Sequence, residues 1–176
     1  MATREVTAIG PGLSLSISRM TEHDLLEVVE IEENSGLSAW GWDAYHKELH
    51  SGEDVIMLVA RNPLRTRRAE AGSGHEHAIA GFIVSRLVSG ELHVNNVAVR
   101  PELRRQGTAA LLLEAVIGQG QADGARIAFL EVRAGNAAAQ GLYRRGGFQV
   151  TGLRRRYYRE PVEDALLMSL SLVPAP

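Results

Sequence analysis

The stretch from Glu91 to about Ile117 constrains the chain more than any other. Val97-Ala98-Val99-Arg100-Pro101 closes a strand, Arg104-Arg105-Gln106-Gly107-Thr108-Ala109 makes a tight turn, and Leu111, Leu112, Ala115 and Val116 mark a helix. A strand, a small-residue turn and a helix start together make a general anion-binding arrangement. The first helical N–H groups lack intrahelical acceptors, and the helix dipole adds partial positive charge. Gly107 and Ala109 let phosphate oxygens approach the backbone, and Arg104 and Arg105 add formal charge. Taken alone, the turn fits a bound diphosphate and an ordinary Arg-rich loop equally well. The strand before it improves the first reading. Leu92 and Val94 set one apolar phase, Val97 and Val99 the other, so the alternation slips at Asn95-Asn96. Such a slip marks a β-bulge, which splays a strand and leaves main-chain groups unpaired for a ligand.

The remaining pattern is mixed. Leu13, Leu15 and Ile17 alternate with serines as in a half-buried strand. Thr21 with Asp24 opens a helix carrying Leu25, Leu26, Val28, Val29 and Ile31, and a short helix covers Asp43 to His50. Strands follow at Val55–Val59, Ile79–Leu87 and Glu91–Val99, then the helix from Gly107 and a strand over Ile127–Val132. A helix from Asn136 to Arg145 ends at Gly146-Gly147, and strands at Phe148–Tyr158 and Ala165–Leu172 complete the chain. The order β-α-α-β-β-β-α-β-α-β-β predicts an α/β sheet, part antiparallel and part parallel, with helices on both faces. Residues 1–12 read as a loose lead-in and 13–176 as one domain. Arg61 to His77, rich in Arg, Gly, Ser and Glu, reads as a flexible, solvated insertion.

Composition narrows the function classes. A chain of 176 residues can bury a core without metal or disulfide help. It has no cysteine, which excludes a thiol nucleophile and a thiolate metal site and fits a reducing cytoplasm. A net charge of −2 argues against general nucleic-acid affinity. No apolar run approaches the roughly 20 residues of a membrane span. The expectation is a cytoplasmic protein, monomeric or weakly dimeric.

Two residues are candidates for chemistry. Ile127, Phe129 and Glu131 share one face of their strand, so Glu131 ends an apolar row, a setting that gives a carboxylate general-base character. An ion pair with Arg133 or another nearby Arg explains it as well, and from position alone is the better reading. Tyr143 lies two turns after Asn136 on one helical face. Its phenol suits proton donation to a leaving thiolate, whose conjugate acid lies near 8.5, but a lone Tyr is more often a core aromatic.

Asn96 to Pro101 running into Arg104–Ala109 resembles the acetyl-CoA signature of the GCN5-related N-acetyltransferases, with Arg104, Gly107 and Ala109 at the matching positions. The resemblance spans about Leu13 to Leu172. It implies their fold, a mostly antiparallel sheet of about seven strands splayed at a β-bulge with about four helices. It also implies that main chain at Val97, Ala98 and Val99 binds the pantetheine arm and that Arg105 to Ala110 holds the pyrophosphate. Leu130-Glu131-Val132-Arg133-Ala134-Gly135-Asn136 with Leu142-Tyr143, Gly146-Gly147-Phe148 and Arg154-Arg155-Arg156-Tyr157-Tyr158 is similar to one subfamily, the ribosomal-protein-alanine N-acetyltransferases. That resemblance implies Glu131 as base, Tyr143 as acid, Asn136 as a cofactor contact, and the N-terminal alanine of a small-subunit ribosomal protein as acceptor. Trp40, Tyr157 and Tyr158 are the acceptor-groove candidates. Compact members carry Pro-Trp-Ser where this chain has Ala39-Trp40-Gly41, and they lack the lead-in and the insertion.

An α-amine acceptor also fits general chemistry. Its pKa near 7.7–8.0 leaves about a tenth neutral at pH 7, against well under a thousandth for a Lys amine. Without cysteine, direct attack on the thioester in a ternary complex is the simplest route. Two alternatives remain open: an N-acetyltransferase with broader N-terminal or small-amine acceptors, and a non-catalytic acetyl-CoA-binding module. His46 and His50, four apart, and His75-Glu76-His77 lack a third ligand at a recognisable spacing, so no metal site is expected.

Overall fold

In chain order the elements of the computed structural model are β1 (Ser16–Arg19), α1 (Leu25–Glu33), α2 (Gly41–Leu49), β2 (Val55–Arg61), β3 (Ile79–Val88) and β4 (Glu91–Val99). They continue with α3 (Thr108–Ala122), β5 (Ile127–Arg133), α4 (Ala137–Arg145), β6 (Gln149–Arg159) and β7 (Val162–Ser171). The structure describes residues 14–36, 39–62 and 78–173. The lead-in over 1–12 and residues 63–77 of the expected insertion lie outside them.

The seven strands form one sheet in the order β1-β2-β3-β4-β5-β7-β6. Every neighbouring pair is antiparallel except β4 with β5. The expected α/β order and mostly antiparallel sheet are both present. β2 shows why its sequence lacks alternation. Val55, Met57 and Val59 face the layer of α1 and α2, while Ile56, Leu58 and Ala60 face the layer of α3 and α4. A strand covered on both faces must be apolar throughout.

Helix α1 opens behind a short 3-10 turn, Glu22–Asp24, where Thr21 N–H and Oγ1 both donate to Asp24 Oδ2 (2.7 and 2.9 Å). Its buried stripe is Leu25, Val28 and Ile31, each contributing about 1.5–3 kcal/mol on burial. Leu26, expected in that stripe, is 77% exposed. No helix among the described residues is long and apolar enough to cross a membrane.

The strand that slips phase does so at one residue. Val84 pairs with Asn96 and Ser85 with Val94, so Asn95 is the extra residue of a bulge. The slip keeps Leu92, Val94, Val97 and Val99 on the α3/α4 side and turns Asn96 and Ala98 toward α1 and α2. Parallel pairing of β4 with β5 runs only from Glu91↔Ile127 to Val94↔Leu130. Beyond the bulge β4 stays with β3 and β5 stays with β7, and the two part into a wedge.

Candidate active site

The wedge opens a cleft of about 1620 Å³. Every residue named above for cofactor, acceptor or chemistry lines it except Gln106, whose side-chain amide donates to the Glu102 carbonyl (3.3 Å). Three segments form one wall: the free edge of β4, the turn after it, and the head of α3.

Strand geometry shows which main-chain groups face the cleft. Arg100 N–H donates to the Ala80 carbonyl of β3 (2.9 Å). Main-chain groups alternate sides along a strand, so Asn96 and Ala98 also point to β3, while Val97 and Val99 point into the wedge. The Val99 carbonyl is taken by Arg104 Nε (3.1 Å), and Arg104 Nη2 donates to the Asn34 carbonyl (2.9 Å). Arg104 therefore shapes the turn by tying it to β4 and to the end of α1.

The turn itself is a nest of donors. Arg105 and Gly107 hold left-handed backbone, φ 63° and 86°, which costs a non-glycine residue about 1 kcal/mol or more. The N–H groups of residues 105–110 have no acceptor among the described residues. Thr108 Oγ1, at the head of α3, is buried and likewise without a partner. This unsatisfied set fits a diphosphate, which supplies many acceptor oxygens and negative charge at a helix N-terminus.

The opposite wall is made of side chains. Glu131 lies 3.0 Å from Arg154 Nη1, with 28% of its side chain exposed, and the nearby Glu131 carboxylate raises the pKa of the Tyr157 phenol. The expected Arg133 partner is engaged elsewhere: it pairs with Glu163 (3.2 Å) and lies over the Tyr158 ring (4.0 Å). Tyr158 is raised by burial first and by the Glu131 charge second. Two extra residues in β6 place Tyr157 and Tyr158 together, since Arg154 pairs with Ala165 and Tyr158 with Glu163. Tyr143 is buried beside Phe148 (ring centroids 6.0 Å), and burial pushes its phenol well above the usual value. Asn136 caps α4, its Oδ1 accepting from Ala139 N–H (3.0 Å), which leaves its Nδ2 as the donor on the cleft.

One part of the site was not anticipated. Glu32, 1% exposed, accepts from Trp40 N–H (2.9 Å), Gly41 N–H (3.0 Å) and Tyr45 Oη (2.6 Å). Asn96 Nδ2 donates to Tyr45 Oη (3.0 Å). Burial, and then the bond to Glu32, push the Tyr45 pKa far up. This network ties the start of α2, with Trp40 at the cleft, to Glu32 of α1 and to Asn96 beside the bulge of β4. The sequence carried one signal for it: Glu32 falls four residues after Val28, on the buried side of α1.

A strand splayed at a bulge, a donor-rich turn and a carboxylate across the wedge thus border one cleft. Residues 28–148 match the acetyltransferase (GNAT) family, and the chain belongs to it; it is an acetyl-CoA-dependent N-acetyltransferase. A Bacillus subtilis (strain 168) protein is 31% identical over 157 residues, covering 89% of this chain and 95% of its own. A Haemophilus ducreyi (strain 35000HP) protein, named as a ribosomal protein bS18-alanine N-acetyltransferase, is 39% identical over 159 residues, covering 89% of this chain and 99% of its own. Among solved structures, the ribosomal-protein-S18-alanine N-acetyltransferase from Escherichia coli superposes with a TM-score of 0.75 at 29% identity, covering 92% of this chain and 96% of its own. The reading as a non-catalytic binding module is set aside.

Proposed function

We propose that the enzyme acetylates the N-terminal α-amine of a protein, an alanine at the start of a small-subunit ribosomal protein. The names of its relatives support the acceptor. The observation that carries the chemistry is that the open β4–β5 wedge borders the donor-rich turn, Glu131 and Tyr143 at once.

In this reading the acetyl-CoA pyrophosphate lies on the amides of residues 105–110 and its pantetheine arm on Val97 and Val99, with Asn136 as a further contact. Val97 and Val99 N–H groups face the thioester side of the wedge, where they polarise its carbonyl. The acceptor chain enters past Trp40, Tyr157 and Tyr158. Glu131 takes a proton from the ammonium group, directly or through one water, and the neutral amine attacks the thioester carbon. The tetrahedral adduct loses its second amine proton to solvent, and the C–S bond breaks as Tyr143 hydrogen-bonds the leaving sulfur. A phenol raised by burial stays protonated across the working range. It is also a weaker acid than a thiol, so it keeps its proton and holds the leaving thiolate by a donated hydrogen bond, the thiolate then taking a proton from solvent.

Mass spectrometry of N-terminal peptides starting with Ala, Ser or Met, incubated with acetyl-CoA, tests the acceptor. Preferred acetylation of the Ala peptide at its α-amine is expected. Acetylation confined to internal Lys contradicts the reading. Comparable acetylation of all three favours a broader N-terminal acceptor range, to which the Ala39-Trp40-Gly41 departure at the cleft also points.

A further inference from the structure

His46 and His50 lie one turn apart on α2, their ring centroids 4.6 Å apart. The fold supplies the third group that the sequence spacing lacked. Glu22, in the 3-10 turn ahead of α1, places Oε1 2.9 Å from His50 Nε2 and 3.6 Å from His46 Nε2. All three ligand atoms lie within 4.8 Å of one another, and none of the three residues lines the cleft.

One contact fixes the hydrogen on the His50 ring. His50 Nδ1 is 2.8 Å from the His46 carbonyl oxygen. A carbonyl only accepts, so Nδ1 carries hydrogen. A neutral His50 then aims its Nε2 lone pair at a carboxylate oxygen 2.9 Å away. Two acceptors at that distance need a shared cation, either a proton on Nε2 or a metal ion. Both imidazoles converge on the same carboxylate oxygen, the arrangement of three ligand atoms around one ion. The separations of 2.9 and 3.6 Å also bracket the roughly 3.4 Å between two ligands that each lie about 2.0–2.1 Å from a tetrahedral zinc. A ligating histidine whose other nitrogen donates to a backbone carbonyl is the usual way its tautomer is set. Trp42, stacked on His46 at 4.6 Å and 17°, restrains the second ring.

We propose that Glu22, His46 and His50 form a three-ligand site for a borderline divalent cation, best matched by zinc, with a fourth position open to water. The ion links the start of α1 to the end of α2, and so braces the helix pair that carries Trp40.

Calorimetric titration of the untagged full chain with zinc chloride tests this, with acetyl-CoA binding measured in parallel as a check on the fold. One zinc per chain is expected. Glu22→Gln and His50→Ala should each weaken binding about tenfold or more, with acetyl-CoA affinity unchanged. No zinc binding by the wild-type chain overturns the proposal. Binding that survives in a His46→Ala/His50→Ala variant also overturns it, because the zinc then sits elsewhere, for example at His75 and His77.

Discussion

On one side of the cleft, the N–H groups of residues 105–110 have no acceptor among the described residues. On the other, Glu131, Arg154, Tyr157, Tyr158, Arg133 and Glu163 already contact one another. The first wall is backbone from one short segment and the second is side chains from three strands. A diphosphate is the same in every turnover, so fixed amides at a helix start serve it well. An acceptor amine must be oriented and deprotonated, which needs titratable side chains gathered from separate elements. The difference teaches where substitutions should separate donor binding from transfer.

The largest separation belongs to Glu131→Gln. It removes the carboxylate and nothing from the donor wall, so kcat should fall about 10²–10⁴-fold with the acetyl-CoA Kd retained; steady-state rates beside calorimetry check both halves. If turnover survives intact, Glu131 is not the base. Gly107→Val should do the reverse. A β-branched residue at φ 86° costs at least about 1–2 kcal/mol, so the acetyl-CoA Kd should rise about tenfold or more, while kcat at saturation changes far less. Tyr45→Phe probes the brace behind the acceptor side. It leaves Glu32 and Asn96 each one hydrogen bond short, at about 1–3 kcal/mol. Thermal melting should show Tm down by several degrees, and the acceptor KM should rise more than the acetyl-CoA KM. The smallest effect concerns pH. Burial raises Tyr143 and Tyr45 above their ordinary value in the fold, so the unfolded chain loses those protons first. Their contribution to stability is intact below about pH 10 and declines above it. Urea unfolding at pH 8 and pH 11 should show a decline that is shallower in Tyr143→Phe.

These two walls were not equally legible. The donor wall is one continuous segment, and its signals are local: a phase slip at Asn95-Asn96, a glycine where φ is positive, and small residues at a helix start. Each survives in the linear sequence because a single peptide stretch carries it. The acceptor wall depends on register. Position allowed an ion pair for Glu131, but its partner is Arg154, which faces Glu131 only because β6 lies beyond β7 in the sheet. The two extra residues that bring Tyr157 and Tyr158 together sit in a run of three arginines whose alternation shows no slip. The Glu32–Tyr45–Asn96 network joins three elements through buried polar atoms, and polar residues in amphipathic helices ordinarily face water. Glu22 likewise meets His46 and His50 only through the packing of the 3-10 turn against α2.

Backbone hydrogen exchange with and without acetyl-CoA, read at single amides, tests the central claim that the donor is held by main chain. Binding should protect the amides of residues 105–110 together with Val97 and Val99, and leave those of β6 and β7 nearly unchanged. Tight binding with no protection at residues 105–110 would contradict the account.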